Sequence, residues 1–204
     1  VCSSDLYTNI THELRTPLTL ILGPLEDMQK DTSLPTRQAQ KLSVIHQSAL
    51  RLLNLINQIL EFRKTETQNK KLCVCKGNIA PLIHEIGLKY KELNQKKAID
   101  FQIQIEKEEM PLFFDKEIIT IILDNLISNA IKYTEQGKIT LSLYPTTRNG
   151  VTYTEIKVSD TGYGISAEAL PHVFDRYYQE SGKHQASGTG IGLALVRNLV
   201  ELHE

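Results

Sequence analysis

Ile10 to Met28 reads ITHELRTPLTLILGPLEDM, and its apolar residues Leu14, Leu18, Ile21, Leu25 and Met28 recur at spacings of 4, 3, 4 and 3. This heptad stripe predicts an amphipathic helix from Leu6 to about Lys30. A polar break, Asp31-Thr-Ser-Leu-Pro35, follows, with Pro35 suited to the first turn of a second helix. The second stripe is Leu42, Ile45, Ala49, Leu52, Ile56 and Ile59, widened by Leu53 and Leu60. Two long antiparallel helices are expected, the second from about Thr36 to Thr65 and ~45 Å long at the α-helical rise. A lone hairpin of that length leaves a wide apolar face open. The expected cover is a second copy, giving a four-helix bundle and a homodimer through the hairpin.

Outward from the hairpin the pattern changes. Thr65 to Lys71 is polar and lysine-rich, and beyond it the hydrophobic period drops to 2. Ile99, Phe101, Ile103 and Ile105 alternate with polar residues, as do Ile139, Leu141 and Leu143, and then Ile156 and Val158. Asn149-Gly150 supplies a tight hairpin turn. Helices are expected at about Ile79 to Gln95, at Lys116 to Tyr133 behind an Asp115 cap, and at Ile191 to His203. The fold class is thus a helical hairpin followed by an α/β sandwich with a mixed sheet. Expected divisions are 7–66 for the hairpin domain, 67–71 for a linker and 72–204 for the α/β domain. Residues 1–6, VCSSDL, match the translation of a common sequencing-adapter tail and are expected to be an artefact or a scar.

Composition removes several function classes. The chain has 204 residues, 41% hydrophobic and 23% charged, which suits a globular protein with a packed core. A net charge of −1 offers no basic field for nucleic acid. Cys2, Cys73 and Cys75 are an odd count, and Cys73-Val-Cys75 lacks metal-pair or redox-pair spacing, so these read as strand residues in a reducing compartment. No apolar run approaches the ~20 residues that span a bilayer.

Three segments carry chemistry. In the first, His12 is followed by Glu13 and, one helical turn on, by Thr16; Pro17 frees the carbonyl of Glu13. Neutral imidazole is a nucleophile, and Glu13 could hold one ring nitrogen protonated while the other attacks. Alone, a His-Glu pair on a helix is ordinarily a solvated surface pair, and a zincin site fails because position 16 is Thr. In the second, Asn125, Asn129, Lys132 and Tyr133 share one face of a helix, giving amide oxygens suited to Mg²⁺ and an ammonium suited to phosphate. The third comprises Asp160-Thr-Gly162-Tyr-Gly164 after a strand and Gly188-Thr189-Gly190-Ile191-Gly192-Leu193 opening a helix, where free N–H groups favour an anion. Asp-x-Gly-x-Gly alone is an ordinary turn, and neither a Rossmann unit nor a Walker lysine pattern accompanies it. His46, His84, His172, His184 and His203 show no partner pattern and read as structural or solvated.

The His12 box resembles the phosphoacceptor segment of sensor histidine kinases, in look closest to the hybrid sensors of Bacteroides-type bacteria. The order of the Asn box, Asp160-Thr-Gly162, Phe174-Asp-Arg176-Tyr-Tyr178 and the Gly-Thr-Gly segment resembles the Bergerat-type ATP-binding domain shared by histidine kinases, gyrase and Hsp90-type ATPases. That resemblance implies ATP and Mg²⁺ as cofactors, and autophosphorylation of His12 followed by transfer to an aspartate on a response-regulator receiver domain, fused or separate. It makes His12, Glu13, Thr16 and Arg176 the catalytic set, with Thr16 placing water for phosphatase action. It assigns Asn129 to the metal, Asn125 and Lys132 to the phosphates, Tyr133 to the face of adenine and Asp160 to its amino group. Gly162, Gly164, Gly188, Thr189, Gly190, Gly192 and Leu193 would bound the nucleotide, with Gln179 to Ser187 as a mobile lid. It further implies the cytoplasmic portion of an inner-membrane sensor, with any membrane segment outside this chain. The family's domain continues for two more strands, so this chain reads as C-terminally truncated, less stable and a weaker ATP binder than the full domain. The alternative is a non-catalytic dimerisation scaffold.

Overall fold

The computed structural model describes residues 2–30, 34–66, 71–94, 98–179 and 189–203, without the side chains of 2–13 and 66. The chain divides into two compact units, Val1–Lys70 and Lys71–Glu204. Most of the expected linker, residues 67–70, lies outside the described residues, as do residues 180–188, which hold nearly all of the expected lid and Gly188.

The first unit is α1 (Cys2–Gln29) and α2 (Thr36–Glu66). Helix α1 begins at Cys2, four residues before the expected Leu6, in keeping with Ser3, Ser4 and Asp5, residue types that favour a first helical turn and its positive dipole end. It runs on through Pro17 and Pro24. The carbonyl of Pro35 accepts from Gln38 and Ala39 N–H, opening α2. Leu18, Leu22, Ala49 and Ile56 form the hairpin's core with Leu53 against it, and Arg15 Nη2 donates to Asn57 Oδ1 at 2.6 Å. Each stripe is therefore split. Leu18 and Leu25 of the first and Ala49 and Ile56 of the second turn inward, whereas Leu14, Ile21, Met28, Ile45, Leu52 and Ile59 stay 38–51% exposed.

The second unit contains β1 (Cys75–Asn78), α3 (Ala80–Leu93), β2 (Ile99–Ile105), β3 (Pro111–Phe114), α4 (Lys116–Tyr133), β4 (Gly137–Arg148), β5 (Val151–Asp160) and α5 (Gly192–His203). Strands β2, β4 and β5 form a mixed sheet, with β2 parallel and β5 antiparallel to β4. The expected alternation is the core: Ile99, Phe101, Ile139, Leu141 and Leu143 are buried with Ile83, Leu123 and Ile127 of the helices. Asn149 at φ 51° and Gly150 at φ 78° give the β4–β5 turn its two left-handed positions. Strand β3 was not anticipated; it pairs with β1 in a separate antiparallel ribbon, in register Cys75↔Phe114. Cys75 opens β1, Cys73 precedes it, and both thiols are free and exposed.

Asp115 shows how distant segments fix α4. One carboxylate oxygen accepts from Ile118 N–H at 3.1 Å, capping the helix as expected, and the other accepts from Cys73 N–H at 2.7 Å. The Asp115 N–H donates to His203 Nε2 at 3.1 Å. His203 thus has a specific partner that its sequence surroundings did not reveal, because that partner lies 88 residues away. His172 is a second exception: its Nδ1 lies 2.8 Å from Asp175 Oδ2. No helix among the described residues is long and apolar enough to cross a membrane.

Candidate functional site

Helix α4 is the spine on which the second unit's motifs meet. Its apolar residues Ile118, Leu123, Ile127 and Ala130 are buried, which leaves the Asn125–Asn129–Lys132–Tyr133 face turned away from most of the core. Asn125 is itself buried and its Nδ2 donates to Ile121 O at 2.8 Å, which fixes the amide's orientation with Oδ1 toward the glycine segment. Asn129 and Lys132 are half-buried. The Lys132 ammonium lies 3.1 Å from the Tyr133 hydroxyl and 4.6 Å from its ring centroid. That cation–π contact puts the positive charge at the C-terminal end of α4, where the helix dipole also favours it.

The Asp160 loop closes on this end of the helix. Asp160 ends β5, opposite Ile139, and its exposed carboxylate accepts from Gly162 N–H at 2.9 Å, fixing the turn. Tyr163 N–H reaches the Tyr133 carbonyl at 3.3 Å. A Cβ on Gly162 would lie 2.4 Å from that carbonyl oxygen, so only glycine lets the loop seat here. Thr161 Oγ1 accepts from Lys138 N–H at 2.9 Å, a tie that motif reading did not single out. The Tyr163 hydroxyl bonds to Glu135, which, with burial and the carboxylate's charge, raises the phenol above its ordinary pKa. Gly164, at φ 73°, has open space around it.

The glycine segment meets the other end of the face. A Cβ on Gly192 would stand 2.9 Å from Asn125 Oδ1, so the first residue of α5 packs directly on the buried amide. Thr189 Oγ1 accepts from Ile191 N–H at 3.3 Å, and the Ile191 carbonyl accepts from Leu195 N–H at 2.8 Å, which starts α5 with its N-terminus toward α4. Leu193 is half-buried on α5. Gly190, at φ 67°, accepts through its carbonyl from Tyr177 N–H at 2.9 Å. Tyr177 itself is left-handed at φ 61°, a role that its side chain gave no reason to expect.

The described residues thus bring together Asn125 with Gly192, Tyr133 with Gly162, and Tyr177 with Gly190. Asn125 and Tyr133 are eight residues apart on α4, ~12 Å along the helix, which makes the site elongated. Arg176 is exposed on the segment joined to Gly190. Two open depressions lie elsewhere, one of about 250 Å³ at the Gln104–Glu106 and Ser142–Tyr144 segments and one of about 190 Å³ among Ile119, Ile122, Val200 and His203. Among the described residues no group of three or more His, Cys, Asp or Glu is placed to hold a metal ion. In the first unit the backbone of α1 carries His12 and Glu13, whose side chains lie outside the described residues, and Thr16 is exposed one turn beyond.

Residues 3–68 match the family described as His Kinase A (phospho-acceptor) domain, and residues 114–204 match the histidine kinase-, DNA gyrase B- and HSP90-like ATPase family. Histidine kinase P4 of Formosa agariphila is 36% identical over 206 residues, covering 98% of this chain and 15% of the relative. Sensor histidine kinase YcbM of Bacillus subtilis is 34% identical over 202 residues, covering 96% of this chain and 63% of the relative. Among solved structures, full-length ShkA in complex with AMPPNP superimposes with a TM-score of 0.75 at 25% identity, covering 97% of this chain and 41% of that one. The chain spans less than two thirds of these relatives' length, from 13% to 63% for the first five. A phospho-acceptor match followed along the chain by a histidine kinase-type ATPase match, together with relatives named as histidine kinases, shows that the chain belongs to the sensor histidine kinases.

Proposed function

We propose that the second unit binds ATP with Mg²⁺ along the Asn125–Tyr133 face of α4, that His12 takes its γ-phosphoryl group, and that the phosphoryl group then passes to an aspartate of a receiver domain. The observation that carries this reading is the meeting of Asn125 with Gly192 and of Tyr133 with Gly162, which puts the N-terminus of α5 at one end of an elongated site and the Asp160 carboxylate at the other. Those parts suit a ligand with an anionic end and a hydrogen-donating end. In the transfer, the His12 ring nitrogen forms a bond to phosphorus as the bond to the bridging oxygen of ADP breaks. Glu13 accepts from the other ring nitrogen and steadies the charge left on the ring. Asn129 is the protein ligand proposed for Mg²⁺, which supplies neutralisation of phosphate charge. Lys132 and Arg176 add to that neutralisation. Thr16 is proposed to place water for removal of phosphate from a receiver, so net phosphatase action belongs to the same reading.

Asp160 gives a test that separates this site from a general anion site. Its carboxylate would accept from the adenine amino group, so the chain should bind ATP more tightly than inosine triphosphate, which presents an oxygen there. A hydrogen bond to a charged group contributes ~1.5–3 kcal/mol, so the preference should be about ten- to a hundredfold. Asp160→Asn, whose amide can donate to that oxygen, should shrink it to a fewfold. Competition titration of the two nucleotides measures the ratio, and an unchanged ratio in the variant would remove Asp160 from base recognition.

The dimer is proposed on the exposed half of each stripe. Leu14, Ile21 and Met28 on α1 and Ile45, Leu52 and Ile59 on α2 each repeat at sevens, the spacing of a seam that the hairpin alone leaves open. Burying one such side chain contributes ~1.5–3 kcal/mol, so six per protomer are ample for association. Ile21→Glu together with Leu52→Glu should turn the dimer into a monomer in sedimentation equilibrium while helical circular dichroism persists. A variant that keeps the dimer mass would place the interface elsewhere.

A further inference from the structure

The segment after the Asp160 loop has little apolar packing to hold its shape. Ala169 is buried, but Leu170, Phe174 and Tyr177 are exposed. Polar ties do the holding instead. Ser166 caps the turn, its Oγ accepting from Ala169 N–H at 3.1 Å and its carbonyl from Leu170 N–H at 3.0 Å. The next turn is closed twice: Asp175 N–H donates to His172 O at 2.8 Å, and His172 Nδ1 lies 2.8 Å from Asp175 Oδ2. The His172 ring stands over Tyr178, centroids 5.6 Å apart. Between Asp175 and Tyr178 the chain passes through left-handed Tyr177, whose N–H reaches the Gly190 carbonyl. The glycine segment is thereby joined, through the Tyr177–Gly190 backbone hydrogen bond, to a turn that a His–Asp pair helps to close.

We propose that His172 is a positioning residue for the nucleotide loop: its bond to Asp175 keeps the 172–178 turn in the shape that clamps Gly190. The pair is more than half exposed on both sides, where solvent screens it, so its effect on global stability is small and its action is local. Without His172, the Asp175 carboxylate loses its partner in the turn and keeps only a weak charge attraction to Arg197 on α5, whose own partner is Glu201 at 2.8 Å. The turn then opens more often, and the clamped form becomes less populated. Apparent nucleotide affinity falls by that fraction, whereas turnover from the bound state does not.

This inference rests on reading the site as a nucleotide site, and one arm of its test does not. In amide hydrogen exchange on the whole chain, His172→Ala and Asp175→Ala should each speed exchange at the Tyr177 amide by about three- to fivefold, since opening the turn exposes that N–H. His172→Asn, whose Nδ2 occupies the place of the ring Nδ1, should stay within about 1.5-fold of wild type. In the second arm, titration with Mg²⁺-ATP should show affinity weakened about two- to fivefold in both alanine variants, no further in the double variant, and restored by Asn. The phosphorylation rate at saturating ATP should stay within about twofold, and the melting temperature within about 2 °C. Unchanged exchange at Tyr177, additive losses, or a loss that Asn does not restore and that follows a lowered melting temperature would each overturn the proposal. Wild-type protein that binds no ATP would instead overturn the nucleotide reading, while the exchange arm would still decide whether His172 holds the turn.

Discussion

His12→Gln should abolish incorporation of label from γ-labelled ATP, a fall of about a thousandfold or more, as expected when a covalent nucleophile is removed. The amide nitrogen of Gln has its lone pair delocalised into the carbonyl and cannot attack phosphorus. The wild-type label should be acid-labile and alkali-stable, the behaviour of a phosphorus–nitrogen bond, which distinguishes it from a phosphoserine or phosphothreonine. Gln is at least as good a helix former as His, so α1 and the hairpin should survive and the melting temperature should hold. Thr16→Ala, one turn along on the same helix, should leave the label intact and slow its hydrolysis from a receiver. Label that survives in His12→Gln would mean that another residue is the acceptor, and would detach the phosphoacceptor role from this helix.

The parts of this molecule that were legible in its sequence share a physical cause: they are governed by local periodicity or by residues near in the chain. The alternation over Ile99–Ile105 and Ile139–Leu143 could be read directly because one sheet face is buried, and a one-residue slip would expose all of it. The cap at Asp115 and the turn at Asn149-Gly150 were legible because each residue type suits few backbone conformations. The stripes of α1 and α2 were legible as stripes, but not as to which half turns inward, since a seam within the hairpin and a seam between copies have the same period. Strand β3 escaped because four residues beginning with Pro111 give too little alternation; Asn78 helps to hold the approach to it by accepting from Met110 N–H and donating to Glu108 O. The site's motifs were legible because glycine, amide and carboxylate carry chemistry wherever they stand. Tyr177 and His172 were not, since the left-handed turn at one and the carboxylate beside the other are set by the fold of the segment rather than by side-chain type.

Gly190→Ala should weaken nucleotide binding at least about thirtyfold, and the size of that loss depends on two separable effects. The first is backbone strain: at φ 67° an alanine costs ~1–2 kcal/mol more than glycine. The second is contact. A Cβ at this position would lie 2.6 and 2.7 Å from the backbone C and Cα of Tyr177 and 2.9 Å from the Tyr178 carbonyl oxygen. Main-chain atoms cannot swing aside as a side chain can, so the two segments must part and the Tyr177 N–H to Gly190 O bond must lengthen or break. Forced repacking of that kind costs a further ~1–3 kcal/mol. Two other glycines separate the effects. Gly150, at φ 78° in the β4–β5 turn with nothing within 4 Å, should lose ~1 kcal/mol of stability as alanine and leave nucleotide affinity unchanged. Gly164, at φ 73° and equally open, lies within the Asp160 loop, so its alanine variant should weaken binding by at most about five- to thirtyfold, the strain part alone. Calorimetric titration of the three variants with Mg²⁺-ATP orders them as 190 first, 164 second and 150 last. Equal losses at 190 and 164 would show that the contact with Tyr177 adds nothing, and that the glycine segment needs a flexible backbone and no clamp.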